Sequence, residues 1–149
     1  MVIGVCEDVV IGQVAEVLGR NGMEGCATVG VLAGMAEVRG VPEGAGGALW
    51  RLDASARQLD ANIVRVPAGE RVAEHVEPDL DVLLCVVDGD GELETAAGRQ
   101  RLEAGAVAWL PRGARRGVEA GPGGLVYVTA HRRRPGLTIR DAPAEGFSS

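Results

Sequence analysis

The sequence predicts an all-β protein, a barrel or sandwich of antiparallel strands. Three observations carry that prediction. Short apolar segments recur from residue 48 onward, glycine-rich turns separate them at close intervals, and no sustained 3.6-residue apolar rhythm occurs in that region. At 149 residues the chain is one domain's worth of polypeptide, enough for a core without disulfide staples.

The predicted strands are Ala48–Leu52, Asn62–Val66, Val82–Val87, Glu92–Thr95, Val107–Leu110 and Leu125–Ala130. Pro67-Ala-Gly69, Asp88-Gly-Asp-Gly91, Ala97-Gly98, Ala104-Gly105, Arg112-Gly113 and Gly121-Pro-Gly-Gly124 punctuate them. Asp88–Gly91 reads as a hairpin turn, because an EF-hand needs glycine where Leu93 stands. The run Val82–Val87 is apolar at every position and is expected to be covered on both faces, by a second sheet or a partner subunit.

Residues 1–47 look different and are expected to form a helical or irregular segment and linker. Asp8 suits the start of a helix carrying Val10, Ile11, Val14, Val17 and Leu18 on one face. The glycine-rich stretch 40–47 reads as a loop rather than a phosphate cradle, since no strand–turn–helix context surrounds it. Residues 48–140 form the expected barrel, and 141–149 a polar tail.

Composition excludes several functions. All 15 basic residues are arginine, so Schiff-base lysine chemistry and a Walker-type phosphate loop are ruled out. Net charge is −6 and aromatics are 3%, which argues against nucleic acid or an anionic membrane as partner. Cys6, Cys26 and Cys85 are odd in number and form no C-x-x-C pair, and Cys85 reads as a small buried hydrophobe. The start MVIGVCED has no basic n-region, and no apolar run approaches a membrane span; a cytoplasmic protein is the expectation. Ser55, Ser148 and Ser149 offer no nucleophile with a convincing partner. Trp50 and Trp109, flanked by apolar residues, are expected in the core. The run from His131 to Pro135 reads as a solvated strand end.

The stretch PAGERVAEHVEPDLDVLLCVVDGDGEL (67–93), followed by GAVAWLPRGARRGV (105–118), resembles the two motifs of the cupin superfamily. Gly69, His75 and Gly89 fit the first motif, and Gly105, Pro111 and Gly113 the second. The resemblance spans about residues 48 to 131 and implies a jelly-roll β-barrel, preceded here by the short helical or irregular segment. It also implies a metal held by two His and a Glu of the first motif and a His of the second. Taken through Gly89, only His75 keeps its type. Glu77 stands at the second His, Val82 at the Glu with Asp81 before it, and Arg116 at the last His. A transition metal needs three or more convergent donors, and a guanidinium is a fixed cation. The metal site is therefore expected to be broken, with no cofactor.

His75 and Glu77, two apart, share one face of a strand. With Arg116 they are expected to line a pocket for a small, anionic molecule, Arg116 gripping a carboxylate or phosphate. Alternatives are an Arg116–Glu77 ion pair bonded to His75 that fills the old cavity, a remodelled metal site with help from Asp81 or His131, an acid/base isomerase, or an interaction module. Exposed sheet edges lead to the expectation of a homodimer.

Overall fold

The structure, a computed structural model, describes residues 2–3 and 29–134. The helix predicted from Asp8, Cys6, Cys26 and the tail 141–149 lie outside the described residues. In chain order the elements are β1 (Val2–Ile3), α1 (Met35–Arg39), β2 (Gly47–Arg51), β3 (Leu59–Val66), β4 (Arg71–Val76), β5 (Val82–Thr95), β6 (Gly98–Glu103), β7 (Val107–Leu110) and β8 (Arg115–Arg132). The all-β architecture of the sequence reading is what the chain adopts.

The two longest strands, β5 and β8, run antiparallel as one bent ribbon, with Leu83 opposite Ala130 at one end and Thr95 opposite Arg116 at the other. The bend splits the fold into two sheets. The first half of β5 and the second half of β8 lie between β7 on one side and β3 with β2 on the other. The second half of β5 and the first half of β8 lie between β6 and β4, with β1 parallel to β4 at the edge. Facing sheets sharing two bent strands make a jelly roll.

Asp88–Gly91 is therefore not a hairpin turn. It is the bend within β5, where the ladder slips between Val86 and Asp88 and again between Gly89 and Gly91. Gly121–Gly124 forms the matching bend in β8. The two bends pass so close that a Cβ on Gly89 would lie 2.0 Å from the Gly124 carbonyl oxygen, and one on Gly91 2.2 Å from that of Glu119. Gly89 also has φ +72°, a left-handed conformation that side chains resist. The Asp-Gly-Asp-Gly composition that resembles a turn is here the requirement of a corner.

Between the sheets lie Val66, Val72, Leu80, Val82, Leu84, Val86, Leu93, Leu102, Leu110, Val118, Leu125 and Tyr127, all buried. Along β5 and β8 these inner positions alternate with outer ones, as a period of two demands. A second apolar cluster sits outside. Val38 of α1, Val41 and Leu49 pack with Ile63 and Val126 on the back of the first sheet. Residues before the predicted boundary at 48 thus contribute to the barrel: β2 begins at Gly47, and 33–45 cover part of one face.

Two sequence expectations change at the other part of that face, beside Leu83 and Val87, which are exposed; among the described residues of one chain, Val82–Val87 is covered on its inner side. Cys85 is half-buried rather than buried. Trp109 is 67% exposed, while Trp50 is half-buried against the outer cluster. Each exposed residue points to the outer side of β5 or β7 by simple alternation from buried neighbours.

Candidate functional site

The candidate site forms where β4 and β8 meet. Val72 lies opposite Val118, and three residues on, His75 lies opposite Arg116 only two residues back. The extra residue in β4 is a β-bulge. Its consequence is specific. Without it, Glu74 would oppose Arg116; with it, His75 joins Arg116 on the inner side, where Val118 also points. Glu74 is left outside, paired with Arg115 at 3.5 Å. Thr95 flanks Arg116 on the other side.

Arg116 is the buried charged residue of the described chain, 5% exposed. It donates from Nη1 to the Ala114 carbonyl at 3.0 Å. Burial pushes the guanidinium below its ordinary pKa, and the Glu77 carboxylate pulls it back up. Arginine starts so high that it stays charged at neutral pH. His75 Nδ1 lies 2.9 Å from the Ala73 carbonyl. A carbonyl only accepts, so Nδ1 carries the hydrogen, and in the neutral ring Nε2 keeps the lone pair.

Glu77 follows directly on β4, and its carboxylate is already engaged. Oε1 accepts from the Asp79 N–H at 2.9 Å, and Oε2 accepts from Arg134 Nη2. Its backbone carbonyl takes the Gly113 N–H at 2.7 Å, strapping the turn before β8 to the same spot. Asp81 turns outward, where Oδ1 accepts the Arg112 N–H at 2.9 Å. His131 lies opposite Asp60 in the β3–β8 ladder and donates from Nδ1 to the Arg132 carbonyl.

The structure thus brings His75 and Arg116 together on one inner face, with Glu77 beside them. It does not produce the hydrogen-bonded triad the spacing allowed: among the described residues no hydrogen bond joins His75 to Glu77 or Glu77 to Arg116. The acid/base pairing of His75 with Glu77 loses its geometric support for the same reason. Arg134 is a member that sequence reasoning missed. It is 57 residues from Glu77 and sits in a run that reads as solvated, so no local signal marks it. Arg132 and Arg133 likewise bind loop carbonyls, at Asp79 and Ser55.

The donor set does not fit a transition metal. Val82 packs in the core, Glu77 is taken by Arg134, Asp81 faces away, and Arg116 places a positive charge where a fourth ligand would stand. No three His, Cys, Asp or Glu side chains converge among the described residues.

A surface cleft of about 430 Å³ lies elsewhere, at the glycine corner, lined by Asp90, Glu92, Glu119 and Arg101 among others. It shares no residue with the His75–Arg116 site. Arg99 already bridges Glu92, Glu94 and Glu119 beside it.

Solved structures of the same shape are cupins. A cupin-2 domain protein from Shewanella frigidimarina superposes with a TM-score of 0.54 at 15% identity, covering 68% of this chain and 95% of that one. The cupin domain of Cnp3 from Schizosaccharomyces pombe gives 0.52 at 20% identity, covering 57% of this chain and 63% of that one. The chain has the cupin fold. KdgF from Halomonas sp. gives 0.50 at 23% identity, covering 55% of this chain and 76% of that one. This cupin barrel spans less than two thirds of the Cnp3 domain chain. No family model matches the sequence, and no curated protein matches it. No helix among the described residues is long and apolar enough to cross a membrane.

Proposed function

We propose that this cupin barrel binds a small organic carboxylate at the mouth formed by His75, Glu77 and Arg116, without the metal its fold commonly holds. The observation that carries the reading is Arg116, a buried cation on the inner face whose one hydrogen bond among the described residues goes to a neutral carbonyl. A guanidinium offers five N–H donors in a fork that matches a carboxylate. Glu77 already acts on the Arg116 guanidinium, so a ligand bringing one negative charge meets less repulsion there than one bringing two. A carboxylate brings one such charge. A phosphate dianion would add a second one beside Glu77 and is disfavoured. Nε2 of His75 accepts a hydrogen bond from a hydroxyl or amine on the same ligand.

The test is thermal unfolding of the wild type and of Arg116→Met against a series of mono- and dicarboxylates, with inorganic phosphate as the control. A ligand at a hundred times its Kd stabilises by about 2.7 kcal/mol, a rise of several degrees in Tm. The expected result is a rise with one or more carboxylates that Arg116→Met abolishes and His75→Gln reduces. No rise with any member of the series, or an equal rise in Arg116→Met, overturns the proposal.

A further inference from the structure

The geometry points to the open edge of β7 as a self-association surface, where a second copy of this chain adds its own β7 antiparallel about a two-fold axis. This rests on the first sheet's outer face and edge, not on the ligand site.

Among the described residues β7 pairs with β5 on one side only. Val86 donates to the Ala106 carbonyl, so the residues bonded to β5 alternate as 106, 108 and 110. Val107 and Trp109 therefore turn their N–H and C=O groups to the open side. Edge strands are commonly guarded by charge, proline or cover. Here β6 carries Arg99, Arg101 and Glu103, and β2 carries Arg51. Among described edge strands longer than two residues, Val107-Ala-Trp-Leu110 alone has no charged side chain.

The face beside that edge is apolar as well. Two outer rows cross the sheet: Ala130, Leu83 and Trp109, then Val128, Cys85 and Val107. On the β3–β8 side the chain covers its own outer face with Val38 and Val41. On the β5–β7 side Leu83, Val107 and Trp109 stand 49%, 64% and 67% exposed. Exposed aromatic and aliphatic side chains gathered at an open edge mark an association site.

Charge selects a second copy as the occupant. Glu103, 3.4 Å from Arg101, precedes the strand and Arg112, 3.9 Å from Asp81, follows it; in these loose pairs each keeps about two thirds of its side chain exposed. An antiparallel partner brings the Glu103 end of one copy to the Arg112 end of the other, twice, with opposite signs. In the register that bonds Val107 to Trp109 of the other copy, both free residues are satisfied at once and the two indoles cover the two valines. An isologous interface needs this self-match.

Sedimentation of the full chain over about 1–100 µM reads the outcome, in the range where modest dimers dissociate. The wild type is expected to dimerise. Trp109→Glu should raise the dissociation constant by about thirtyfold or more, as loss of a central aromatic anchor does. Val107→Lys is the independent second variant, and both positions are exposed, so circular dichroism should show the fold intact. Glu103→Arg and Arg112→Glu should each weaken the dimer several-fold, and the double exchange should restore it. A dimer indifferent to Trp109→Glu and Val107→Lys overturns the assignment. So does a wild type that stays monomeric throughout, whether Trp109 is open to iodide quenching or shielded by residues 4–28 of the same chain.

Discussion

The two ends of the second sheet are built by different means. At the corner end, β5 and β8 cross with backbone against backbone, and Gly89 and Gly91 are there because no side chain fits. At the mouth end, β4 and β8 present His75, Glu77 and Arg116, and the arrangement depends on side-chain chemistry and on one bulge. The corner is a steric necessity of any jelly roll that bends this way. The mouth is free to change once the corner holds. Here an arginine and a valine stand at positions where the resemblance to the cupin motifs implies metal donors, and the scaffold is undisturbed.

The same substitution at both ends separates these roles. Gly91→Ala places a methyl 2.2 Å from the Glu119 carbonyl oxygen, and the backbone there has nowhere to go. The expected loss is at least about 3 kcal/mol in chemical denaturation, among the larger effects of a single methyl. Gly113→Ala meets open space and suffers only from its φ of +79°. It should lose about 1 kcal/mol. Equal losses at the two positions would erase the distinction.

What the sequence made legible follows the same division. Glycine and proline at fixed intervals announce turns and corners, because few other residues fit, and the jelly roll can be read from them. Strands with apolar residues on both sides, such as Val82–Val87, are visible for the same reason. β6 and the first half of β8 are not, since Gly98–Glu103 and Arg115–Glu119 carry charge on their outer faces and little apolar run. The bulge in β4 is also silent: nothing in Arg-Val-Ala-Glu-His-Val says whether Glu74 or His75 faces inward. Long-range pairing decides it, as it decides that Arg134 rather than His75 takes Glu77. Trp109 was misplaced because a tryptophan between apolar neighbours looks the same inside a core or on an unpaired edge.

A smaller effect is expected at the mouth itself. Arg116→Met removes a buried charge and fills similar space, while Glu77 keeps Arg134 and the Asp79 N–H. Stability should stay within about 1 kcal/mol of wild type, because well-packed apolar replacements of buried ions are often neutral. A loss as large as that of Gly91→Ala would make Arg116 part of the scaffold and not of a binding site.

The smallest effect lies away from both ends. Burial opposes the charge of Asp60, but its hydrogen bond and ion pair with Arg57, with His131 and Arg133 nearby, hold the carboxyl below the ordinary 3.8. A carboxyl depressed on folding contributes stability above its unfolded pKa and loses it as pH falls through the folded value. Asp60→Asn should therefore cost about 0.5 kcal/mol at pH 7, the range of a partly exposed ion pair. Wild type and variant should converge as pH falls below the folded value, which lies under 3.8. A difference that persists in acid would assign the effect to packing.

The central claim is that a side-chain cation occupies the place where the fold commonly holds a metal ion. Elemental analysis of protein purified without chelators tests it directly. The account predicts less than about 0.1 ion of manganese, iron, nickel or zinc per chain. Near one ion per chain, lost in His75→Ala, would contradict it.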